Sequence, residues 1–159
     1  MSTPTSSGAS AAYSIRPATV ADSDTLVAFT MSEALDAERR NLNRVEVQRG
    51  VAGGFETPPK SRYWVAETDG RVVACASIVT EWSNFRGGDY WWIQSLYIAP
   101  EHRGTGLVDT MLRHLVRANA QHLVGLHDGS RRHQFDAPGL RGHRALLRHA
   151  FDAGCGHVA

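Results

Sequence analysis

The stretch that decides the fold covers residues 93–112 and reads IQSLYIAPEHRGTGLVDTML. Its first part, residues 93–98, is rich in β-branched, aromatic and aliphatic side chains, and Pro100 stops it, which is typical of a strand. A short turn that contains Gly104 and Gly106 follows. Beyond the turn, apolar residues recur at helical spacing along one stripe, namely Leu107, Met111, Leu112, Leu115 and Val116. The sequence therefore predicts a strand, a glycine-containing turn and a helix in direct succession.

This arrangement predicts an anion site at the start of the helix. The first turn of a helix leaves backbone N–H groups without partners, and the helix dipole adds partial positive charge there. Gly104 and Gly106 would let the backbone approach an anion closely, and Arg103 would add a full positive charge. A phosphate or pyrophosphate is the natural ligand, although a plain strand-to-helix turn would use the same glycines. Neither the Gly-x-x-x-x-Gly-Lys-Ser/Thr string nor the third glycine of Gly-x-Gly-x-x-Gly is present.

Other predicted elements surround this unit. The pair Asp69 and Gly70 separates two β-rich runs and predicts a two-residue hairpin, because both of its positions need a positive φ. Thr19 and Asp22 have the spacing of a capping box at the start of a helix. In chain order, the predicted elements are a strand at 13–17, a helix at 20–38, a weaker helix at 42–52, strands at 63–68, 71–79 and 89–98, and the helix after Gly106.

Residues 96–108 also resemble a known family. Residues 103–108, RGTGLV, resemble the Arg/Gln-x-x-Gly-x-Gly/Ala loop of the GNAT superfamily of acetyl-CoA-dependent N-acetyltransferases, and residues 96–102, LYIAPEH, resemble the strand end before that loop. The order of elements is similar to that of the family from residue 13 to about residue 122. Val108 stands where the family usually has Gly or Ala. The resemblance implies an α/β fold with a mixed, mostly antiparallel central sheet flanked by helices.

The resemblance further implies acetyl-CoA as co-substrate and direct transfer of its acetyl group, in a ternary complex, to a primary amine of a small molecule or peptide. The pantetheine arm would bond the backbone of Leu96, Tyr97 and Ile98 like an added strand. The pyrophosphate would lie on backbone N–H groups of Arg103, Gly104, Thr105, Gly106, Leu107 and Val108. A backbone N–H of the central strand would stabilise negative charge on the thioester oxygen. The alternatives are a non-catalytic or impaired acyl-CoA-binding domain and an interaction domain without a cofactor.

The amine must lose a proton before it attacks, so the resemblance also implies a base and an acid. Glu81, at a strand end, is the first choice for the base, although such a carboxylate is at least as often simply solvated. Glu33 on the first helix could bind a cationic acceptor. The family often uses a tyrosine hydroxyl to protonate the leaving thiolate, and Tyr97, a candidate catalytic residue, lies on the central strand near the expected reaction centre. Gln94 lies on the same strand with opposite parity, so at most one of the two lines the cleft.

Large aromatic side chains cluster on the predicted strands. They admit two interpretations, a wall of the acceptor pocket or ordinary sheet packing, and packing is favoured. The residues concerned are Trp64, Trp82, Tyr90, Trp91 and Trp92.

The composition favours one domain without nucleic-acid or membrane partners. The chain has 159 residues, and 17 basic against 16 acidic residues give a net charge of +1, far from the basic excess typical of nucleic-acid binding. We find neither a secretory signal nor an apolar run long enough for a bilayer, and expect a cytoplasmic location. Cys75 and Cys155 lie far apart and predict no disulfide framework. The eight histidines show no zinc-site spacing, so no metal site is predicted.

The last part of the chain departs from the family pattern. Residues 1–12 are expected to be a disordered lead-in and residues 13–159 a single domain, in which residues 125–159 form an atypical tail. The family's Asn-x-x-Ala-x-x-x-Tyr helix and its last strands are not evident, and no tyrosine follows Tyr97. Three explanations stay open: a divergent end whose sheet a partner chain completes, a truncation, or a change of reading frame near residue 125. The first would favour a homodimer.

Overall fold

The computed structural model describes residues 12–118 and the backbone of residues 123–127. Its helices are α1 (Ser23–Glu38), α2 (Arg44–Gly53) and α3 (Leu107–Ala118). Its strands are β1 (Ser14–Pro17), β2 (Arg62–Thr68), β3 (Arg71–Ser83), β4 (Gly88–Ile98) and β5 (Leu123–His127). Short 3₁₀ turns at Val20–Asp22 and Pro100–His102 come before α1 and α3.

The strands form one sheet in the order β1-β2-β3-β4-β5. The first three pairs are antiparallel, and β5 lies parallel to β4. Parallel neighbours need a crossover connection, which α3 supplies. The predicted mixed, mostly antiparallel sheet flanked by helices is therefore confirmed.

Strand β5 has no counterpart among the elements predicted from the sequence. Its five residues, LVGLH, carry no alternating pattern and have a glycine at their centre, so local sequence gives a weak signal. The strand forms because its backbone pairs with β4, which is a tertiary contact rather than a local one. The predictions for residues 1–11 and for the tail from residue 128 onward lie outside the described residues.

The predicted capping box and the first helix are confirmed. The Thr19 N–H donates to Asp22 Oδ2 at 2.7 Å, and the chain enters α1 through the 3₁₀ turn at Val20–Asp22. The Arg16 guanidinium donates to both carboxylate oxygens of Asp22, at 2.9 and 3.0 Å, and also bonds Glu67 of β2 at 3.0 Å. The Arg16 hydrogen bond lowers the pKa of Asp22 to about 2. This network joins β1, β2 and the start of α1.

Both hairpins follow from turn chemistry. Asp69 and Gly70 have φ values of 50° and 71°, as the two-residue turn requires, so this prediction is confirmed. The strand that follows is longer than predicted, because β3 runs on to Ser83 and pairs with β4 over its whole length. The next turn closes where the Gly87 N–H donates to the Ser83 carbonyl at 2.9 Å, with Gly87 at a φ of 63°.

Two apolar clusters cover the two faces of the sheet. One face packs on α3 through Ala66, Ala74, Ala76, Ile78, Trp91 and Ile98. The other packs on α1 and α2 through Val65, Cys75 and Tyr97. Since neighbouring residues of a strand point to opposite faces, the Tyr97 side chain lies under α1 while the side chains of Leu96 and Ile98 lie toward α3.

Candidate active site

The turn between β4 and α3 has the backbone conformation that its glycines permit. Gly104 and Gly106 have φ values of 76° and 80°, in the left-handed region. A Cβ added at either position would meet no atom of the described residues within 4 Å. The glycines are therefore required by conformation rather than by crowding, and the described residues leave space beside the turn.

The first turn of α3 has N–H groups that precede the hydrogen-bonding of the helix. The first intrahelical hydrogen bond runs from the Thr110 N–H to the Gly106 carbonyl, at 3.1 Å. The N–H groups of Leu107, Val108 and Asp109 precede it, and in the described part of the chain no acceptor bonds them. They are the donors that an anion would use.

Val108, the departure from the family motif, does not crowd the loop. Its side chain is 5% exposed and packs in the α3 cluster with Met111 and Leu112. Leu107 is buried in the same cluster. Both side chains anchor the first turn of α3 to the sheet.

The Arg103 side chain contacts groups of two other elements. Its Nε donates to the Ile98 carbonyl at 3.0 Å, and its Nη2 forms an ion pair with Asp36 of α1 at 2.8 Å. The guanidinium carbon lies 5.5 Å from the centroid of the Tyr97 ring. Its backbone N–H donates to the Pro100 carbonyl at 3.2 Å. Arg103 thus links α1 to the end of β4, and the phosphate contact predicted for it stays a prediction.

A second side-chain contact, which sequence reasoning missed, holds the loop from the opposite end of the chain. The Tyr13 hydroxyl hydrogen-bonds with His102 Nδ1 at 3.1 Å and donates to Thr105 Oγ1 at 3.3 Å. The Thr105 hydroxyl in turn donates to the His102 carbonyl at 2.8 Å. A separation of 89 residues between Tyr13 and His102 explains why no local pattern indicates this contact.

Strand β4 exposes backbone groups on the edge that points away from β3. Tyr97 opposes Cys75 of β3, and the Ala99 N–H donates to the Val73 carbonyl at 2.9 Å. Because bonding alternates along an antiparallel pair, Leu96 and Ile98 direct their N–H and carbonyl groups to the other edge, here called the outer edge of β4. The described pairing with β5 reaches only as far as Trp92.

Two backbone groups on the outer edge of β4 form hydrogen bonds with side chains. Leu96 donates its N–H to Glu33 Oε1 at 3.1 Å, and the Ser95 hydroxyl donates to Glu33 Oε2. The Ile98 carbonyl accepts from Arg103. Just before this point, β4 contains a bulge at Gln94, because Ser77 opposes Ser95 while Ile78 opposes Ile93. After the bulge at Gln94, therefore, the outer edge of β4 bonds side chains rather than a described strand.

The two catalytic residues predicted from sequence lie far apart. Tyr97 is 8% exposed, and its ring lies 4.9 Å from that of Phe29 of α1, centroid to centroid. Glu81 is exposed, accepts a hydrogen bond from Trp92 Nε1 at 2.8 Å, and opposes Tyr90 on β4. Tyr90 and Tyr97 are seven residues apart on β4, which corresponds to about 20 Å of strand. Both roles stay predictions, but one reacting atom cannot touch both side chains.

The remaining polar and aromatic candidates are distributed over several surfaces. Gln94 is exposed, and its Oε1 accepts from the Ser77 hydroxyl at 3.4 Å. Trp91 is buried in the α3 cluster, Trp64 packs on His114 at 5.4 Å between centroids, and Trp82 is 61% exposed. The packing interpretation is thus confirmed for Trp64 and Trp91.

Two searches of the described residues give negative results. Over residues 12–118 and 123–127 no group of three or more His, Cys, Asp or Glu side chains could hold a metal ion. None of the helices in that part of the chain has the length and apolar character needed to cross a membrane. Cys75 is buried, and burial raises the pKa of its thiol to about 12.

The sequence profile of the acetyltransferase (GNAT) family matches residues 22–130. The chain belongs to the GNAT family. The match includes α1, the β4–α3 turn and β5, and so continues past residue 122, where the resemblance read from the sequence stops. Among curated proteins, a search finds none with significant similarity.

Solved structures of GNAT-like proteins share the fold. A protein of Clostridium difficile 630 described as "a possible acetyltransferase" is 28% identical over 72% of this chain and 77% of its own, with a TM-score of 0.68. A "predicted acetyltransferase with acetyl-CoA" from Clostridium acetobutylicum is 20% identical over 88% and 86%, with a TM-score of 0.62. The ribosomal-protein-alanine N-acetyltransferase of Brucella melitensis is 15% identical over 73% and 78%, with a TM-score of 0.60.

The family uses acetyl-CoA as co-substrate, and the residues present here fit that molecule. The N–H groups of Leu107, Val108 and Asp109 suit a pyrophosphate, and Gly104 and Gly106 keep the side of the turn next to them open. The outer edge of β4 supplies the groups that an extended, amide-containing arm would bond. Acetyl transfer is therefore the chemistry of the GNAT family to which these elements belong.

Proposed function

We propose that this protein transfers the acetyl group of acetyl-CoA to a primary amine of a small molecule or peptide, by direct attack in a ternary complex. One observation carries the proposal. The N–H groups at the start of α3, which no acceptor among the described residues bonds, follow the outer edge of β4 after one turn, in a chain of the GNAT family. The same proposal includes a single domain over residues 13–159, a cytoplasmic location and a homodimer.

The loop and the strand have separate tasks in this function. When bound, acetyl-CoA supplies an acetyl group activated as a thioester. The N–H groups of Leu107–Asp109 bind the pyrophosphate, supported by the positive end of the α3 dipole. The Leu96 carbonyl and the Ile98 N–H bond the pantetheine arm along the outer edge of β4. A backbone N–H of this edge, that of Leu96, donates to the thioester oxygen and stabilises the charge that develops there.

The side chains predicted for proton transfer remain part of the proposal. Tyr97 would protonate the leaving sulfur, and Glu81 would accept a proton from the amine. Since about 20 Å of strand separates the positions of these side chains, a measurement on each must decide whether either one acts. Replacing Tyr97 with Phe should lower turnover, and replacing Glu81 with Gln should do so only if the acceptor reaches that end of β4.

Two assays on the full chain test the proposed function. Thermal unfolding is measured with increasing CoA and acetyl-CoA, because a ligand that binds only the folded state raises the apparent stability, by about 2.7 kcal/mol at 100 times its Kd. No shift at saturating acetyl-CoA would refute the function. Release of free CoA is then measured with spermidine, tyramine and peptides that carry a lysine or a free amino terminus. A shift without release from any of them would favour the non-catalytic acyl-CoA-binding domain.

A further inference from the structure

The Glu33 carboxylate occupies a position that the proposed function gives to another group. It lies half-buried on the outer edge of β4, where it accepts from the Leu96 N–H at 3.1 Å and from the Ser95 hydroxyl. In residues 12–118, no arginine, lysine or histidine forms an ion pair with it. Its partners there are neutral donors only, so within the described residues this half-buried carboxylate has no positive counterpart.

A second contact shows that α1 covers this edge as a unit. Asp36 follows Glu33 by three residues on α1, which places both on the same side of the helix. Asp36 holds Arg103, and Arg103 donates to the Ile98 carbonyl. Acidic residues of one face of α1 therefore serve both backbone groups. Glu33 bonds the Leu96 N–H directly, and Asp36 holds the arginine that bonds the Ile98 carbonyl.

Binding of a pantetheine arm would break the contact that Glu33 makes. A backbone N–H that leaves water needs an acceptor, and one N–H cannot fully serve two acceptors. When the thioester oxygen or the arm takes the Leu96 N–H, the Glu33 carboxylate loses a donor while it stays beside the reacting carbon. A carboxylate in that state gains most from a cation.

We propose that acetyl-CoA displaces Glu33 from the Leu96 N–H, and that the freed carboxylate then binds the ammonium group of the acceptor and accepts its proton. The inference rests on the proposed function. It makes Glu33 a catalytic residue for the reaction, in place of the base predicted at Glu81. It also makes acceptor binding depend on prior binding of acetyl-CoA, because the carboxylate is engaged until then.

The proton and electron balance of the step is simple. The ammonium nitrogen gives one proton to Glu33 and uses the freed electron pair to form a bond to the acetyl carbon. The bond from that carbon to sulfur breaks, and its electron pair goes to sulfur. The second proton of the nitrogen goes to sulfur, by way of a hydroxyl or water, and Glu33 returns its proton to water. The products are an N-acetyl amide, CoA and one proton.

Affinity for acetyl-CoA tests the displacement without requiring turnover. Isothermal titration is performed on the wild type, Glu33→Ala, Glu33→Gln and the control Glu38→Gln, an exposed α1 residue that bonds Arg40. Since Glu33→Ala has no carboxylate to displace, it should bind acetyl-CoA about 3- to 10-fold more tightly than the wild type. Glu33→Gln keeps an acceptor oxygen and should lie between the two. The Glu38→Gln control should match the wild type.

Two results of the titration would overturn the inference. One is equal or weaker binding by Glu33→Ala, which would show that the contact does not compete with acetyl-CoA. The other is a Gln variant as tight as the Ala variant, because charge alone would then oppose binding. If the wild type itself does not bind acetyl-CoA, the proposed function fails instead.

Turnover tests whether Glu33 binds and deprotonates the acceptor. This assay uses Glu33→Gln, so it tests the assignment even if Glu33→Ala does not fold. With an amine that the wild type acetylates, Glu33→Gln should lower kcat by about 10²- to 10⁴-fold, the range for loss of a general base. It should also raise the acceptor KM, since the ammonium loses its charged partner. Turnover of Glu33→Gln within threefold of the wild type would overturn the assignment while leaving the proposed function intact.

Discussion

Replacing Gly106 with alanine tests whether the glycine is needed for its left-handed backbone conformation rather than to avoid a steric clash. The residue has a φ of 80°, and an added Cβ would meet no described atom within 4 Å. The described residues therefore cause no steric conflict, and the expected penalty is the cost of a left-handed conformation, about 1–2 kcal/mol for an L-residue. By mass action, 1.4 kcal/mol corresponds to about a tenfold change in an equilibrium constant.

This penalty can appear in folding, in binding or in both. If the free loop keeps its conformation, the free energy of unfolding falls by the full amount. If the loop relaxes, the N–H groups of Leu107–Asp109 turn away, and the penalty returns when acetyl-CoA restores them. We therefore expect the losses in unfolding free energy and in acetyl-CoA binding free energy to sum to about 1–2 kcal/mol.

Urea unfolding and isothermal titration with acetyl-CoA measure the two parts. Gly50→Ala is the matched control, because Gly50 lies in α2 and an added Cβ there also meets open space. That variant should raise the free energy of unfolding by about 0.5–1 kcal/mol, since alanine favours a helix more than glycine. It should leave acetyl-CoA affinity unchanged. A Gly106→Ala variant as stable as the wild type, with undiminished affinity, would show that neither folding nor binding needs the left-handed conformation at this position.

Three further substitutions test the surroundings of the site. Gly54→Ala would place a Cβ 2.2 Å from Tyr63 Cε2, so the ring must move, and urea unfolding should show a loss of about 1–3 kcal/mol; an unchanged midpoint would contradict this packing. The wild type should exceed Asp22→Asn by about 2 kcal/mol in free energy of unfolding at pH 7. Because the Arg16 hydrogen bond lowers the pKa of Asp22 from 3.8 to about 2, this advantage is complete above pH 3.8 and disappears as the pH falls toward 2; an advantage that persists below pH 2 would argue against the ion pair as its source. Tyr13→Phe removes the hydroxyl that bonds His102 and Thr105, and it should cost about 1 kcal/mol of stability and weaken acetyl-CoA binding; equal binding would show that the loop does not depend on β1.

Local chemistry determined the parts of the fold that the sequence predicted correctly. The Asp69-Gly70 turn requires positive φ values at adjacent residues, and the structure has them. The strand, turn and helix over residues 93–112 likewise follow from a proline stop, two glycines and a helical stripe. In each case the residues that decide the conformation are close neighbours in the chain. Strand β5, whose place depends on pairing with β4, was beyond such reasoning.

The site was less predictable, because its contacts join distant segments. No local pattern indicated that Asp36 and the Ile98 carbonyl bond the Arg103 guanidinium. Glu33 and Leu96 are separated by 63 residues, so their contact has no local pattern. Residue type had indicated that Glu33 could meet a cation. Only the fold shows which backbone group it occupies.

The most direct test of the central claim is a nuclear magnetic resonance titration of the isotope-labelled full chain with acetyl-CoA, followed through its backbone amide signals. We expect saturable shifts of the amides of Leu107, Val108 and Asp109, which would meet the pyrophosphate, and of Leu96, which would exchange Glu33 for the bound arm. Saturable binding that leaves all four amides unshifted, or no binding at all, would contradict this expectation.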